Sequence, residues 1–244
     1  MDIMKFLNKF RQNNKTPHCS AVVLAAGSST RMGFDKALFE LGGIPVVIRS
    51  LQAFDKHELV DEIIVVTKEE KIQDLADLCK SYSLTKVKAV IAGGATRAES
   101  SLAGVCAVSK KAEYIAIHDA ARPLVTEKVI TDALYGARDY HAAIPVIPST
   151  DTLRIFEDGF ITGSIDRSIV ARIQTPQIFD ADLIKGALSY AVKKGLPITD
   201  DSSAVDYTGF RNRVTQGDPN NIKLTTREDI VLAEAILKER GEQF

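Results

Sequence analysis

An excess of charge of one sign is missing from this sequence. Its 31 Lys and Arg stand against 32 Asp and Glu, a net charge of −1 over 244 residues. A broad electrostatic footprint for nucleic acid is therefore not expected, and the basic residues must act locally. Cysteine is scarce: Cys19, Cys79 and Cys106 are odd in number, widely spaced and without a Cys-x-x-Cys. That spacing gives no support for a zinc site and fits small buried hydrophobes in a reducing, cytoplasmic setting. No apolar run is long enough to span a bilayer. Residues 1–17 lack the continuous apolar core of a signal peptide. They place Ile3, Phe6, Leu7 and Phe10 at helical spacing among Lys5, Lys9, Arg11 and Lys15. We read them as an amphipathic N-terminal extension, with no membrane partner. No internal repeat or low-complexity linker divides the rest, so residues 18–244 read as a single domain. Two phosphate-binding fingerprints are missing too: neither Gly-x-x-x-x-Gly-Lys-Ser/Thr nor Gly-x-Gly-x-x-Gly occurs at the first glycine loop.

What that loop contains is informative. The apolar run Ala21-Val22-Val23-Leu24 ends at Ala25-Ala26-Gly27-Ser28-Ser29-Thr30-Arg31-Met32-Gly33, followed by Phe34-Asp35-Lys36. This is a buried strand stopping at a small, flexible loop. Gly27 lets backbone N–H groups approach an anion, and Ser28, Ser29 and Thr30 add donors. Arg31 and Lys36 bring charge that persists at neutral pH. The combination suits a nucleoside triphosphate, and points to phosphoryl or nucleotidyl transfer.

Alternation of strand and helix patterns sets the fold class. Helical spacing runs over residues 46–54, 71–82, 98–108, 181–194 and 227–240, and strand-like runs over 62–67, 86–91 and 114–117. Continuous apolar strands between helices predict an α/β fold, with a mostly parallel sheet covered on both faces. Ligands then sit outside the carboxyl ends of the strands, so the loops after Leu24, Ile91 and Ile117 should line one site. Over residues 147–172 the pattern changes. Glu157-Asp158-Gly159 between alternating runs signals a hairpin, an arm suited to pairing with a second subunit. Thr225-x-x-Glu228 matches a capping box for the last helix.

Further motifs fall on those loops. Gly93-Gly94-Ala95-Thr96-Arg97-Ala98-Glu99-Ser100 places a diglycine at a strand end, where it would open space for a close ligand. Arg97 and Ser100 then share a helix face. In His118-Asp119-Ala120-Ala121-Arg122-Pro123, Asp119 lies at a strand's carboxyl end, where a carboxylate can hold Mg²⁺ or position a hydroxyl. An Asp119–Arg122 pair that only shapes the loop is the competing reading, and His118 lacks the spaced partners of a metal ligand. Three more motifs are Asp166-Arg167, with Arg172 and Gln174-Thr175-Pro176-Gln177 beyond it, Thr199-Asp200-Asp201-Ser202-Ser203, and Asn220-Asn221-Ile222-Lys223. Lys223 just before a capped helix is not needed by the cap, which favours a ligand role.

In this order the motifs resemble the 2-C-methyl-D-erythritol 4-phosphate cytidylyltransferase family, over residues 19–236. The resemblance implies a Rossmann-like three-layer nucleotidyltransferase fold with a twisted sheet and a projecting β-arm that builds a homodimer. It implies CTP over Ala25, Ala26, Gly27 and Ser28, with Gly93, Arg97 and Ser100 near cytosine and ribose, and Asp119 and Ala120 by the sugar and Mg²⁺. Arg31 and Lys36 match the pair that steadies the triphosphate. Arg167 and Lys223 match residues that hold the methylerythritol phosphate, with Arg122 beside them, and Thr152 matches a contact carried on the arm. The family commonly has Pro-Lys-Gln where this chain has Asp35-Lys36-Ala37. Together with Leu41-Gly42-Gly43, that stretch is closer to the molybdenum-cofactor nucleotidyltransferases. A cytidylyltransferase for another alditol phosphate, such as ribitol 5-phosphate, and a non-catalytic CTP-binding relative are the remaining alternatives.

Overall fold

The computed structural model describes residues 17–27, 37–242 and 244. The extension expected over residues 1–17 lies outside the described residues, Pro17 apart. So do Ser28, Arg31 and Lys36.

The central strands of the sheet divide their apolar residues between two faces. On β1 (Cys19–Leu24), Ala21 and Val23 join one core cluster while Val22 joins the other. On β4 (Glu62–Thr67), Ile63 and Val65 divide in the same way from Ile64 and Val66. A strand buried on both faces needs helices on both sides. Helices α1 (Val46–Asp55), α2 (Ile72–Ser81) and α4 (Glu127–Tyr140) contribute Phe54, Leu75 and Ile130 to the first cluster. Helices α3 (Arg97–Ala107), α5 (Ala181–Lys194) and α6 (Asp201–Asp206) contribute Val105, Ile184 and Val205 to the second. A third cluster lies under α7 (Arg227–Glu239), where Ile230, Ala233 and Leu237 meet Leu41 and Leu124.

Between these layers runs an eight-stranded sheet. β5 (Val87–Ala92), β4, β1, β6 (Tyr114–Asp119), β11 (Gln177–Asp180) and β7 (Ala142–Pro148) are neighbours in that order. β10 (Ala171–Ile173) continues along the edge of β7 that β11 begins, and β12 (Arg213–Gln216) takes the opposite edge: Ala143 faces Ile178 on one side and Arg213 on the other. The pairs β1–β4, β1–β6, β4–β5 and β7–β12 are parallel, while β10 and β11 run antiparallel to their partners. A small ribbon of β2 (Glu40–Leu41) and β3 (Ile44–Pro45) precedes α1.

The expected hairpin forms a two-stranded sheet of its own, β8 (Arg154–Glu157) and β9 (Phe160–Ser164). Asp158 and Gly159 both have positive φ, 48° and 83°, the geometry of a tight turn matched to strand twist. Phe156 and Phe160 on its strands are 77% and 76% exposed. Several elements were not expected from the sequence: α4, α6, β7, β10, β11 and β12. Pro145 and Pro148 disguise β7, since a proline cannot donate to a ladder. The last cap sits one residue later than expected. Asp229, rather than Glu228, accepts from the backbone N–H groups of Thr225 at 2.6 Å and Thr226 at 2.8 Å. Among the described residues no helix is long and apolar enough to cross a membrane.

Candidate active site

The carboxyl ends of β1, β4, β5 and β6 open into a cleft of about 500 Å³. Ala25, Ala26 and Gly27 line it from the first loop, Gly93, Gly94, Arg97 and Ser100 from the start of α3, Asp119 and Ala120 from the end of β6, and Lys223 from the loop before α7. Parallel strands bring their carboxyl ends to one rim, so residues almost 200 positions apart in the chain meet here. Arg122, Thr152 and Arg167 do not line this cleft. Sequence reasoning had not singled out Thr67 and Lys68, which line it at the end of β4; Lys68 is exposed.

Asp119 is the centre of the site. Its Oδ2 lies 2.7 Å from the Lys223 ammonium and its Oδ1 3.3 Å from Arg97 Nη2. Burial would raise its carboxyl pKa, but Arg97 and Lys223 overcome that and hold it well below the usual carboxylate range. Arg97 Nη2 also donates to Asp201 Oδ2 at 2.7 Å. Burial disfavours the guanidinium's charge, and the two carboxylates more than restore it. Asp201 is fully buried and its carboxyl is shifted upward by that burial, against the pull of Arg97. Sequence analysis placed Asp201 in a motif without giving it a role.

A chain of hydrogen bonds fixes the end of β6. The Asp119 N–H donates to Thr175 Oγ1 at 3.1 Å, and Thr175 Oγ1 lies 3.0 Å from His118 Nδ1. His118 Nε2 is 3.1 Å from the Arg122 carbonyl. A carbonyl only accepts, so the ring proton sits on Nε2 and Nδ1 accepts from Thr175. Burial pushes the His118 pKa down to about 4, so the ring is neutral at physiological pH. His118 is thus a structural spacer packed against Phe54, ring centroids 4.9 Å apart.

Arg122 does not pair with Asp119, as the competing reading had it. Its guanidinium donates to the carbonyls of Asn221 at 2.8 Å and Ile173 at 3.2 Å. Asn221 Nδ2 donates to the Thr175 carbonyl at 2.9 Å, and Gln174 Nε2 to that of Asp218 at 2.8 Å. The loop carrying Lys223 is therefore buttoned to the segment between β10 and β11, which places the ammonium on Asp119. The motifs around Gln174 and Asn221 serve this purpose.

The diglycine, which lines the cleft, also has a use inside the protein. A Cβ at Gly93 would come within 2.6 Å of Ser100 Oγ, and one at Gly94 within 2.3 Å of Glu99 Cβ. The glycines make room for the first turn of α3 to fold back over the strand end. There Thr96 and Glu99 form a capping box, and Ser100 Oγ donates to the Thr96 carbonyl at 2.9 Å. A Cβ at Gly27 would meet nothing within 4 Å among the described residues, and Gly27 lines the cleft.

Arg167, on a short 3₁₀ turn (Arg167–Ile169), donates to the Thr150 carbonyl at 3.3 Å beside the hairpin. Among the described residues no group of three or more His, Cys, Asp or Glu side chains could enclose a metal ion.

A family model described as 2-C-methyl-D-erythritol 4-phosphate cytidylyltransferase matches residues 19–239. A protein of that name from Caldanaerobacter subterraneus subsp. tengcongensis is 41% identical over 224 residues, 90% of this chain and 99% of the relative. Another, from Halalkalibacterium halodurans, is 38% identical, covering 91% of this chain and 97% of the relative. A solved structure described as 4-diphosphocytidyl-2C-methyl-D-erythritol synthase from Anaerococcus prevotii aligns with a TM-score of 0.81 at 30% identity, covering 91% of this chain and 97% of that one.

Proposed function

The chain belongs to the 2-C-methyl-D-erythritol 4-phosphate cytidylyltransferase family, and we propose that the cleft around Asp119 is where it performs that family's reaction. The enzyme is a nucleotidyltransferase of isoprenoid precursor synthesis. It moves CMP from CTP to 2-C-methyl-D-erythritol 4-phosphate and releases pyrophosphate. An oxygen of the acceptor phosphate attacks the α-phosphorus of CTP. The new P–O bond forms as the bond to the β-phosphate breaks, and pyrophosphate leaves with the electron pair.

The acceptor is already anionic at neutral pH, so the step needs no strong base. This agrees with a site whose nearest histidine, His118, is neutral and fully engaged. The obstacle is the meeting of two polyanions. In our reading Ala25, Ala26, Gly27 and Ser28 pass under the nucleotide. Arg97, Ser100 and Gly93 flank its base and ribose, Asp119 and Ala120 its sugar, and Arg31 and Lys36 the triphosphate. Lys223 and Arg167 hold the acceptor phosphate, with Arg122 keeping Lys223 in place. Preorganised cations aimed at charge that develops in the transition state are worth most in a partly buried cleft. The observation that carries this reading is the Asp119–Lys223 pair on the cleft floor.

Mg²⁺ fits the donor set. Asp119 is one ionised hard oxygen ligand, and Mg²⁺ ordinarily takes one or two carboxylates with the rest from substrate phosphates and water. When bound it would offset phosphate charge; Asp119 would be its protein ligand.

We further propose a cytosolic homodimer. Thr152 and Arg167 stand beside the hairpin rather than in their own chain's cleft, and Phe156, Phe160 and Ile161 are exposed there. A second copy would cover those side chains and receive Thr152 and Arg167 at its own cleft.

The test is pyrophosphate release from CTP and Mg²⁺ with methylerythritol phosphate, with ribitol 5-phosphate, or with no acceptor. Release with methylerythritol phosphate alone, abolished in Lys36→Ala, is the expected result. Release only with ribitol phosphate would move the enzyme to another acceptor, and no release with either would defeat the reading.

A further inference from the structure

The two cations on Asp119 are held differently. Among the described residues the ion-pair partner of Lys223 is Asp119. The Arg97 guanidinium is divided: Nη2 is 2.7 Å from Asp201 and 3.3 Å from Asp119. Asp201 has no exposure to solvent, and among the described residues its one ion pair is with Arg97.

Its position is fixed from elsewhere. The Ser202 N–H donates to Gln177 Oε1 at 2.9 Å, and Gln177 Nε2 donates to Asp200 Oδ2 at 2.6 Å. Asp200 caps α6 by accepting from the Ser203 N–H at 3.1 Å. The Ser202 backbone and the Asp200 carboxylate, on either side of Asp201, are thus both tied to Gln177 of β11, so Arg97 must come to the carboxylate rather than the reverse.

Two atoms of this ion pair are left over, with the buried Ser101 hydroxyl, which also acts on the Asp201 carboxyl, beside them. Arg97 Nη1 and Asp201 Oδ1 are both buried without a hydrogen-bond partner. They belong to the two halves of one ion pair, and a fork-like, two-bond pairing would satisfy both. The sharing of Nη2 with Asp119 holds the guanidinium short of that geometry.

We infer that Asp201 is a positioning residue for the transfer: it is the second seat of Arg97, onto which the guanidinium closes when substrate engages Asp119. The inference rests on the cleft being the CTP site. Asp201 would keep Arg97 from collapsing onto Asp119, and so leave Asp119 free to meet hydroxyls or Mg²⁺. A plain staple between α3 and α6 would show the same distances, so the test must separate the two.

Binding of CTP with Mg²⁺ is measured by calorimetry, beside KM and kcat, for the parent, Asp201→Asn, Arg97→Gln and the double variant. Asp201→Asn should weaken CTP binding about 10- to 100-fold and raise KM for CTP more than it lowers kcat. Arg97→Gln should weaken it by a similar factor, and the double variant no further, because both act through one guanidinium. Additive losses would overturn the inference. So would Asp201→Asn with a lowered Tm but the parent's CTP affinity, the result a staple gives. Should Asp201→Asn not fold, Arg97→Gln is compared with the double variant, which buries no unpaired charge: equal affinity supports the inference and a further loss overturns it. A parent that does not bind CTP overturns the reading of the cleft, and the inference with it.

Discussion

The Lys223 ammonium lies 2.7 Å from Asp119 Oδ2, a contact across 104 residues of sequence. It joins the carboxyl end of a central strand to the loop before the last helix, and it gives the carboxylate in the cleft a cationic partner.

Lys223→Ala removes that cation while leaving Arg97 beside Asp119. If Lys223 holds the acceptor phosphate, kcat/KM for pyrophosphate release should fall by about 10²–10³. Far-UV circular dichroism should stay unchanged, since the ammonium is at the cleft surface. A loss of less than about threefold would remove Lys223 from the machinery.

Stability should fall as pH drops from about 6.5 toward 4, and His118 should account for part of it. The folded protein keeps His118 neutral down to about pH 4, whereas the unfolded chain protonates near 6.5. Between those values the unfolded state binds the extra proton, so acid favours it by up to about 1.4 kcal/mol per pH unit. Burial lowers the His57 pKa as well, and acts in the same direction. Urea unfolding from pH 7 to 4.5 should show a shallower decline in His118→Asn than in the parent. Parallel curves would mean that His118 titrates alike in both states.

Asn221 is fully buried and donates to the Thr175 carbonyl at 2.9 Å. Asn221→Ala leaves that carbonyl unpaired and should cost about 1–3 kcal/mol in urea unfolding. Because Lys223 is two residues away on the same loop, kcat/KM should fall as well. Full activity in a destabilised variant would separate the loop's packing from the placement of Lys223.

The hairpin prediction is about mass. Light scattering at micromolar concentration should give a dimer for the parent and a monomer for Phe156→Glu/Phe160→Glu, whose exposed positions tolerate charge within one chain. A monomeric parent would end the proposal that the hairpin pairs two copies.

Several parts of this protein were legible without coordinates because their causes are local. Continuous apolar runs on β1 and β4, helical spacing over α1, α2, α3, α5 and α7, and Asp158-Gly159 at the hairpin turn all act within a few residues. The same locality identifies Asp119 as a carboxylate at a strand end. β7 was hidden by Pro145, whose missing N–H matters only once the neighbouring strands are known. The last cap was misplaced by one position because Glu228 and Asp229 are adjacent carboxylates, and helix geometry chose between them.

The sequence by itself determined the α/β class, the loops that meet at the cleft and the chemical types gathered there, since periodicity and loop composition are properties of short windows. Only the tertiary structure decided what those side chains do to one another. Arg97 is shared between Asp119 and Asp201, Arg122 holds backbone carbonyls instead of Asp119, and the diglycine admits Ser100 and Glu99 on its inner side. Each of these depends on distances between residues that are far apart in the chain, and on the burial that turns a polar side chain from a solvated group into one that must find a partner.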